Sequence, residues 1–369
     1  MKHGDLSKVV LRGFKSFQDC EIKLKSLNIL IGANGSGKSN FVGFFVMIQQ
    51  LLEQNLQRYV GRQGGPDSIM YFGRKVTDKI SGEFYFGNNG YQFALEPTKD
   101  NRLIFEKENF WWNVKGDHRI AAGHDESKAD SKGAKSTGIY EYVVPAMKQW
   151  RVFHFHDTSD SAKVKLLHGI NDNEYLRPDA SNLAAFLFRI NKAHPQEYNK
   201  IVKTIRLMAP YFGDFHLREY VDDPSKIELE WTESGQDVPF SGHALSDGTL
   251  RFVCLATVLL QPEKFKPSLI LIDEPELGLH PYAIGLLASL IKSAAKTKQI
   301  IVSTQSVELL NEFEVDDVLV ADRGDAGTTL VRPSKDSLED WLTDYSLGEI
   351  WCKNLLGGRP RKSFTFLKS

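Results

Sequence analysis

Two short stretches carry residue types able to act on phosphate. In "LNILIGANGSGKSN", residues 27–40, Gly32, Gly37, Lys38 and Ser39 match the pattern G-x-x-x-x-G-K-[ST]. Glycines let backbone N–H groups turn inward around phosphate oxygens, and a helix that follows adds the positive end of its dipole. In that chemistry Lys38 reaches the β- and γ-phosphates of ATP, and the Ser39 hydroxyl is a ligand of Mg2+. Gly32, Asn34, Gly35, Ser36, Gly37 and Asn40 complete the candidate cradle. The plainer alternative is a glycine turn with a chance Lys-Ser. The apolar run before the loop and the helical spacing after it favour the phosphate reading.

The second stretch is "LILIDEPELGLHP", residues 269–281. An apolar strand runs into Asp273 and Glu274. Alone, such a pair can be a surface turn. Beside a phosphate loop it reads as a Walker B pair: Asp273 holds Mg2+ through its water shell, and Glu274 polarises a water for attack on the γ-phosphate.

Upstream stands "HALSDGTLRFVCLATVLLQP". Ser246 reads as an N-cap with Asp247 in the first turn of a long apolar helix. A capped helix is the plain reading; an ABC-type signature that binds the γ-phosphate is the sharper one. Downstream, the apolar strand in "QIIVSTQSVELL" ends at Gln305, whose amide can donate one hydrogen bond to a phosphate oxygen.

Two further stretches invite chemistry. In "RVFHFHDTSD", His154 and His156 alternate with Phe153 and Phe155, so both imidazoles share one strand face, with Asp157 next. Metal ligands can be so arranged, but a half-buried strand is the preferred reading. In "YLRPDASNLAAFLFRI", Asp179, Ala180 and Ser181 lead into an apolar helix and are explained by capping.

The elements that position these residues form an α/β chain. With 369 residues, about two lobes are expected at ~150 residues per domain. The 41 % hydrophobic share supports a core. A net charge of −1 argues against coating nucleic acid by net field alone. Cys20, Cys254 and Cys352 show no metal-ligand spacing, and three do not form a disulfide framework, so reduced thiols are expected. No apolar run nears the ~20 residues that span a bilayer, and no signal core opens the chain. A soluble, cytoplasmic protein is expected. "KISGEFYFGNNGYQFALEP" reads as a hairpin turning at residues 87–90, and "RLIFEKENFWWNV" as another strand. Residues 114–138 are polar, without apolar periodicity, and read as a flexible loop. Helices are expected near 139–149, 180–193 and 196–209. The expected division is a core lobe at 1–113 and 236–335, the loop at 114–138, a mixed or helical insertion at 139–235, and C-terminal helices with a basic tail at 336–369.

Together these residues resemble the SMC/RecF-like ABC ATPases, in the compact subgroup of AAA family ATPases that is similar to the ATPase half of OLD-family nucleases. "LRGFKSFQDCEIKL" resembles the family's first hairpin, LSDGT resembles its LSGGQ signature, and phosphate loop, signature and Walker B come in the family's order. The resemblance is specific over 8–41 and 243–310. It implies a P-loop ABC-type head with a mixed insertion, without SMC coiled coils. It implies that Ser246 and Gly248 contact the γ-phosphate of a nucleotide held by another subunit. An ATP-dependent homodimer or higher oligomer follows. His280 stands where transporters carry the D-loop aspartate, a cross-dimer contact. Gln305 stands where a histidine usually senses the γ-phosphate, and Asp247 replaces a glycine; both departures bear on hydrolysis rate. Arg177 is implied near the nucleotide, and Gln63 is a candidate for the Q-loop. Residues after 335 are too few for a nuclease domain, so the expected output is a separate effector such as a TOPRIM-like nuclease, in antiphage defence. The alternatives are a RecF-like DNA-repair ATPase with Arg58 and Arg62 on a basic stripe, a transporter motor, and a metal nuclease using His154 and His156.

Overall fold

The computed structural model of the chain describes residues 4–358. Most of the expected basic tail lies outside the described residues. The fold sorts into two compact units. One comprises the chain up to Trp150 and again from Phe313; the other is Arg151–Glu312.

In the first unit, Lys8–Phe14 pairs antiparallel with Phe17–Lys23 and with Ile80–Phe86. The sheet continues through Asn89–Pro97, Leu103–Trp112 and Gly116–Ala121, six strands in all. Ile80, Gly82, Phe84 and Phe86 alternate inward, the period of a strand with one buried face. The helix Lys38–Leu52 lays Phe41, Phe44, Phe45 and Ile48 toward the core at helical spacing. Phe44 stacks on Phe84 with centroids 5.7 Å apart, and Trp150 meets Phe45 and Phe84, each at 5.4 Å. Gly82 permits this approach: a Cβ there would lie 2.6 Å from the Phe93 ring and 2.9 Å from Phe44. Separately, Leu27–Ile31 pairs parallel with Val318–Gly324, which turns back antiparallel into Gly327–Val331. All five residues of Leu27–Ile31 are buried, as in strands covered on both faces.

Residues 114–138 are not a flexible loop. They contain the strand Gly116–Ala121 and are tied down by Glu108, which is fully buried. Its carboxylate accepts from Tyr91 Oη (2.6 Å), Ser127 Oγ (2.5 Å) and the Lys128 N–H (2.8 Å), and lies 2.9 Å from His124 Nε2. A segment ordered by polar bonds to one buried acid shows no apolar period.

In the second unit, Arg151–Phe153, Leu269–Asp273 and Gln299–Thr304 run parallel, with Leu269–Asp273 in the middle. The helices Pro195–Met208, Asp247–Leu260 and Pro281–Ala295 belong to the same unit. Residues 236–312 therefore group with 151–235, not with 1–113 as expected, because the helix Asp247–Leu260 packs on Pro195–Met208 and Pro281–Ala295. A small antiparallel sheet, Phe212–Phe215, Glu230–Glu233 and Pro239–Ser241, is pinned by Trp231 stacked on Phe212 at 5.7 Å. The helix expected from 180 begins at Leu183. Its N-cap Asn182 spends its amide on the carbonyls of Asp172 (2.9 Å) and Tyr175 (2.8 Å), and Asp179 accepts from the Ser181 N–H (3.1 Å).

After residue 335 two short helices form, Glu339–Asp344 and Leu347–Cys352. Cys20 and Cys254 are buried, Cys352 is exposed, and none forms a disulfide. Burial pushes the Cys20 and Cys254 thiols up to about 12. Among the described residues no helix is long and apolar enough to cross a membrane.

Candidate functional site

The glycine loop sits between the buried strand Leu27–Ile31 and the helix that begins at Lys38. Gly37 has φ 109°, and a Cβ there would overlap the Thr328 side chain; at Gly32 it would lie 2.5 Å from the Ala321 carbonyl. Neither position tolerates a side chain. Lys38 is 5 % exposed, and its ammonium donates to the carbonyls of Gly32 (2.6 Å) and Ala33 (3.2 Å). The charge is thus held inside the ring of the loop. Asn34, Gly35 and Ser39 face outward, so the Ser39 hydroxyl stands in the first helical turn, open to a ligand. Ser36 Oγ is buried with no hydrogen-bond partner.

Two residues that sequence reasoning passed over brace this loop. Thr328 Oγ1 donates to the Ser36 carbonyl (2.9 Å) and meets Ser16 Oγ (2.8 Å), to which Asn40 Nδ2 also donates (2.8 Å). Beside them opens a cavity of about 750 Å3, lined by Lys15, Ser16, Asn40, Phe72, Arg74 and Arg323 among others. Burial lowers the Lys15 pKa. Gln63 caps the helix Leu56–Arg62, on which Arg58 and Arg62 are exposed.

In the second unit, the strand Leu269–Asp273 ends on Asp273, which is 9 % exposed and has Oδ1 buried without a partner. Glu274 follows in the left-handed region, φ 44°, and its N–H donates to the Ser303 carbonyl at 2.7 Å. An L-residue there is strained. The turn re-aims the carboxylate after the strand has ended, and Glu274 does not simply alternate across it.

Gln305 follows the strand Gln299–Thr304. The residue that organises this strand end is Glu276, which the sequence reading did not single out. Glu276 Oε1 accepts from Thr304 Oγ1 (2.6 Å) and from the Gln305 N–H (3.3 Å). Burial raises the Glu276 pKa, against those bonds.

Ser246 caps the helix Asp247–Leu260 as expected: its Oγ accepts from the Thr249 N–H at 3.2 Å. Ser246 and Asp247 are exposed. Gly248 has a packing reason of its own, because a Cβ there would lie 2.5 Å from the Gly278 carbonyl. Arg251, one turn on, is 7 % exposed. Its guanidinium donates to the carbonyls of Phe155 (2.8 Å), His156 (3.4 Å) and Leu277. One cation so joins the helix Asp247–Leu260 to the segment that follows the strand Arg151–Phe153 and to the turn after Glu274. Burial lowers the Arg251 pKa. His280 caps the helix Pro281–Ala295, its Nδ1 accepting from the Tyr282 N–H at 3.3 Å. Arg177 Nε donates to Asp172 Oδ2 at 2.5 Å and so serves its own loop.

The strand ends at Phe153, so His154 and His156 lie just past it and do not alternate along it as expected; their rings stand 6.1 Å apart, and the acid beside them is Asp273, not Asp157. Asp157 accepts from Ser159 Oγ at 2.6 Å. His154 Nδ1 lies 3.7 Å from Asp273 Oδ2, and His156 Nε2 donates to the Asp273 carbonyl at 3.1 Å. Burial lowers the His154 pKa; Asp273 opposes that shift and His156 adds to it. The preferred reading of this segment as a plain half-buried strand omits that cluster.

A family profile described as "AAA domain, putative AbiEii toxin, Type IV TA system" matches residues 27–311. The Old nuclease of Escherichia phage P2 is 24% identical over 377 residues, which take in 91% of this chain and 62% of that relative. The chain thus spans less than two thirds of that relative's length. A solved Smc head bound to the C-winged helix domain of ScpA matches with a TM-score of 0.61 at 19% identity, over 92% of this chain and 99% of that one. An Smc head with an extended coiled coil, bound to the C-terminal domain of ScpA derived from Pyrococcus furiosus, matches with a TM-score of 0.58 at 16% identity, over 92% and 98%. The Smc head domain with a coiled coil and joint derived from Pyrococcus yayanosii gives 0.56 at 13%, over 92% and 99%. The fold is therefore that of a P-loop ABC-type head. The profile match covers well over half of the chain, which belongs to this AAA family as an SMC/RecF-like ABC ATPase resembling the ATPase domain of OLD nucleases.

Proposed function

We propose that the chain binds ATP with Mg2+, associates with a second copy around it, hydrolyses it slowly, and so switches a separate effector protein. The observation that carries this reading is the Lys38 ammonium, buried at the head of a helix inside a loop whose Gly32 and Gly37 admit no side chain. The orphaned Ser36 hydroxyl and the outward Ser39 fit a ligand rich in oxygens. ATP supplies the phosphoanhydride that is cleaved, and Mg2+ the charge that neutralises its oxygens.

In this reading Lys38 holds the β- and γ-phosphates and Ser39 ligates the metal. The cavity beside Asn40 and Ser16 receives the rest of the nucleotide. Asp273 orients the metal's water shell. Glu274, aimed by its left-handed backbone, polarises the attacking water. Gln305 donates an uncharged amide hydrogen bond to the terminal phosphate, which suits slow turnover. Ser246 and Gly248 read the γ-phosphate of a nucleotide on the partner copy, with His280 nearby across that interface.

The Old nuclease relationship supports a nuclease output, and the solved Smc heads bound to ScpA support docking of a separate protein. A TOPRIM-like nuclease acting in antiphage defence in the cytoplasm fits both. The exposed pair Arg58 and Arg62, one turn apart on a helix, favours a second reading in which DNA is bound directly, as in RecF-like repair.

Nucleotide binding by wild type and Lys38→Ala, measured calorimetrically with ATP and Mg2+, tests the reading. Wild type should bind and the variant should lose affinity at least tenfold. Equal binding by both overturns the loop assignment. Light scattering with and without ATP then tests association, and salt-dependent DNA binding lost in Arg58→Glu would favour the second reading.

A further inference from the structure

We propose that His154, His156 and Asp273 form a binding site for a divalent transition-metal ion of the zinc type. Within the second unit, one ligand atom from each residue lies within 4.8 Å of the other two. Two imidazole nitrogens and one carboxylate oxygen are a donor set suited to Zn2+, Co2+ or Fe2+, not to Mg2+, which takes oxygen ligands. The inference does not depend on nucleotide binding.

Three observations carry it. His156 Nε2 donates to the Asp273 main-chain carbonyl at 3.1 Å. A carbonyl can only accept, so the proton is on Nε2 and the lone pair is on Nδ1. A ring N–H bound to a carbonyl is how proteins commonly orient a ligating histidine. Second, Asp273 is 9 % exposed, and its Oδ1 is buried with no hydrogen-bond partner. A buried carboxylate oxygen without a donor is costly unless a cation answers it. Third, His154 Nδ1 is 3.7 Å from Asp273 Oδ2. That is too long for a hydrogen bond and close to the ~3–4 Å separation of two ligands that each lie ~2.0–2.2 Å from one zinc.

The backbone of His154 is held, its N–H donating to the Pro178 carbonyl at 3.1 Å. Arg251 fixes the neighbouring backbone through the carbonyls of Phe155 and His156. The cluster can therefore close on an ion by rotation of the side chains while the backbone bonds on either side stay in place. The His154 side chain is 41% exposed, so a fourth position is open to water. That is the form of a reactive or regulatory zinc site, not of a closed structural one. The site also takes the carboxylate to which the proposed function assigns Mg2+, so the two metals compete for Asp273.

The test uses the full chain, stripped with a chelator and free of nucleotide. Co2+ is titrated while visible d–d absorption is followed, and Zn2+ is then added to displace it. Expected are one Co2+ per chain, the intense bands of a four- or five-coordinate nitrogen-bearing site, and bleaching by Zn2+. His154→Gln and His156→Gln should each weaken binding by roughly 10–100-fold or more. Lys38→Ala should leave it unchanged, so a failed nucleotide loop and a failed metal site give different results. Weak octahedral bands alone, or variants that bind as wild type does, overturn the proposal. If either variant fails to fold, X-ray absorption of the zinc-loaded wild type decides: imidazole scattering from two rings supports the site, and an all-oxygen shell overturns it.

Discussion

Thr304 Oγ1 donates to Glu276 Oε1 across 2.6 Å, and that bond joins the end of one parallel strand to the turn that follows its neighbour. The same oxygen accepts from the Gln305 N–H. Glu276 is therefore the positioning residue for Gln305.

Burial raises the Glu276 pKa, so the folded protein holds this proton to higher pH than the unfolded chain, whose glutamates titrate near ~4.3. The stability tied to that proton is complete below the unfolded value and is lost as pH rises through the folded one. Glu276→Gln keeps an acceptor for Thr304 without the charge. Its thermal midpoint relative to wild type should rise as the pH climbs above the ordinary carboxylate range. A pH-independent difference would assign the titration to another group.

Glu274→Gln keeps the size and the backbone of the proposed base. Turnover should fall ~10²-fold or more while ATP is still bound. Glu274→Gly should lose the same activity, yet its thermal stability should be equal or higher, because glycine accepts φ 44° without strain. Unchanged steady-state hydrolysis in either variant would move the base elsewhere.

Ser246→Arg should leave nucleotide binding by the isolated chain nearly intact and abolish ATP-driven association. Mixed with Lys38→Ala, it forms dimers in which one composite site carries both defects and the other neither. Some hydrolysis should return, up to about half that of wild type if the sites act independently. Wild type that stays monomeric with ATP and Mg2+ on light scattering, and a mixture without activity, would leave LSDGT as a capped helix only.

Arg251→Met removes a buried cation and leaves the carbonyls of Phe155, His156 and Leu277 without their donor. Chemical denaturation should show a loss of at least ~2–4 kcal/mol. Arg251→Lys should recover less than half, because an ammonium lacks the planar fork that reaches several carbonyls at once. Full recovery by lysine would mean that charge alone matters there.

The sequence made the local signals plain. Strand, glycine turn and helix follow one another within residues 27–52, and Leu269–Asp273 ends where its apolar run meets two acids. Ser246 reads as a cap because its bond spans only three residues. What stayed hidden depends on distant partners. Ser16 and Thr328 are 312 residues apart, and His156 lies 117 residues before the carbonyl that orients it. Glu276 is near Asp273 in the chain, but its partner Thr304 comes from the next strand. Residues 114–138 looked disordered because polar bonds to Glu108 order them, and a hydrophobic period cannot report that.

The placement of the three thiols hands the experimenter a native reporter. Cys20 and Cys254 are buried and hard to ionise, whereas Cys352 is exposed. A maleimide dye added to the unmodified protein should therefore attach at one position. Donor- and acceptor-labelled batches, once mixed, would report by energy transfer when two copies meet and part, in real time and without an engineered handle.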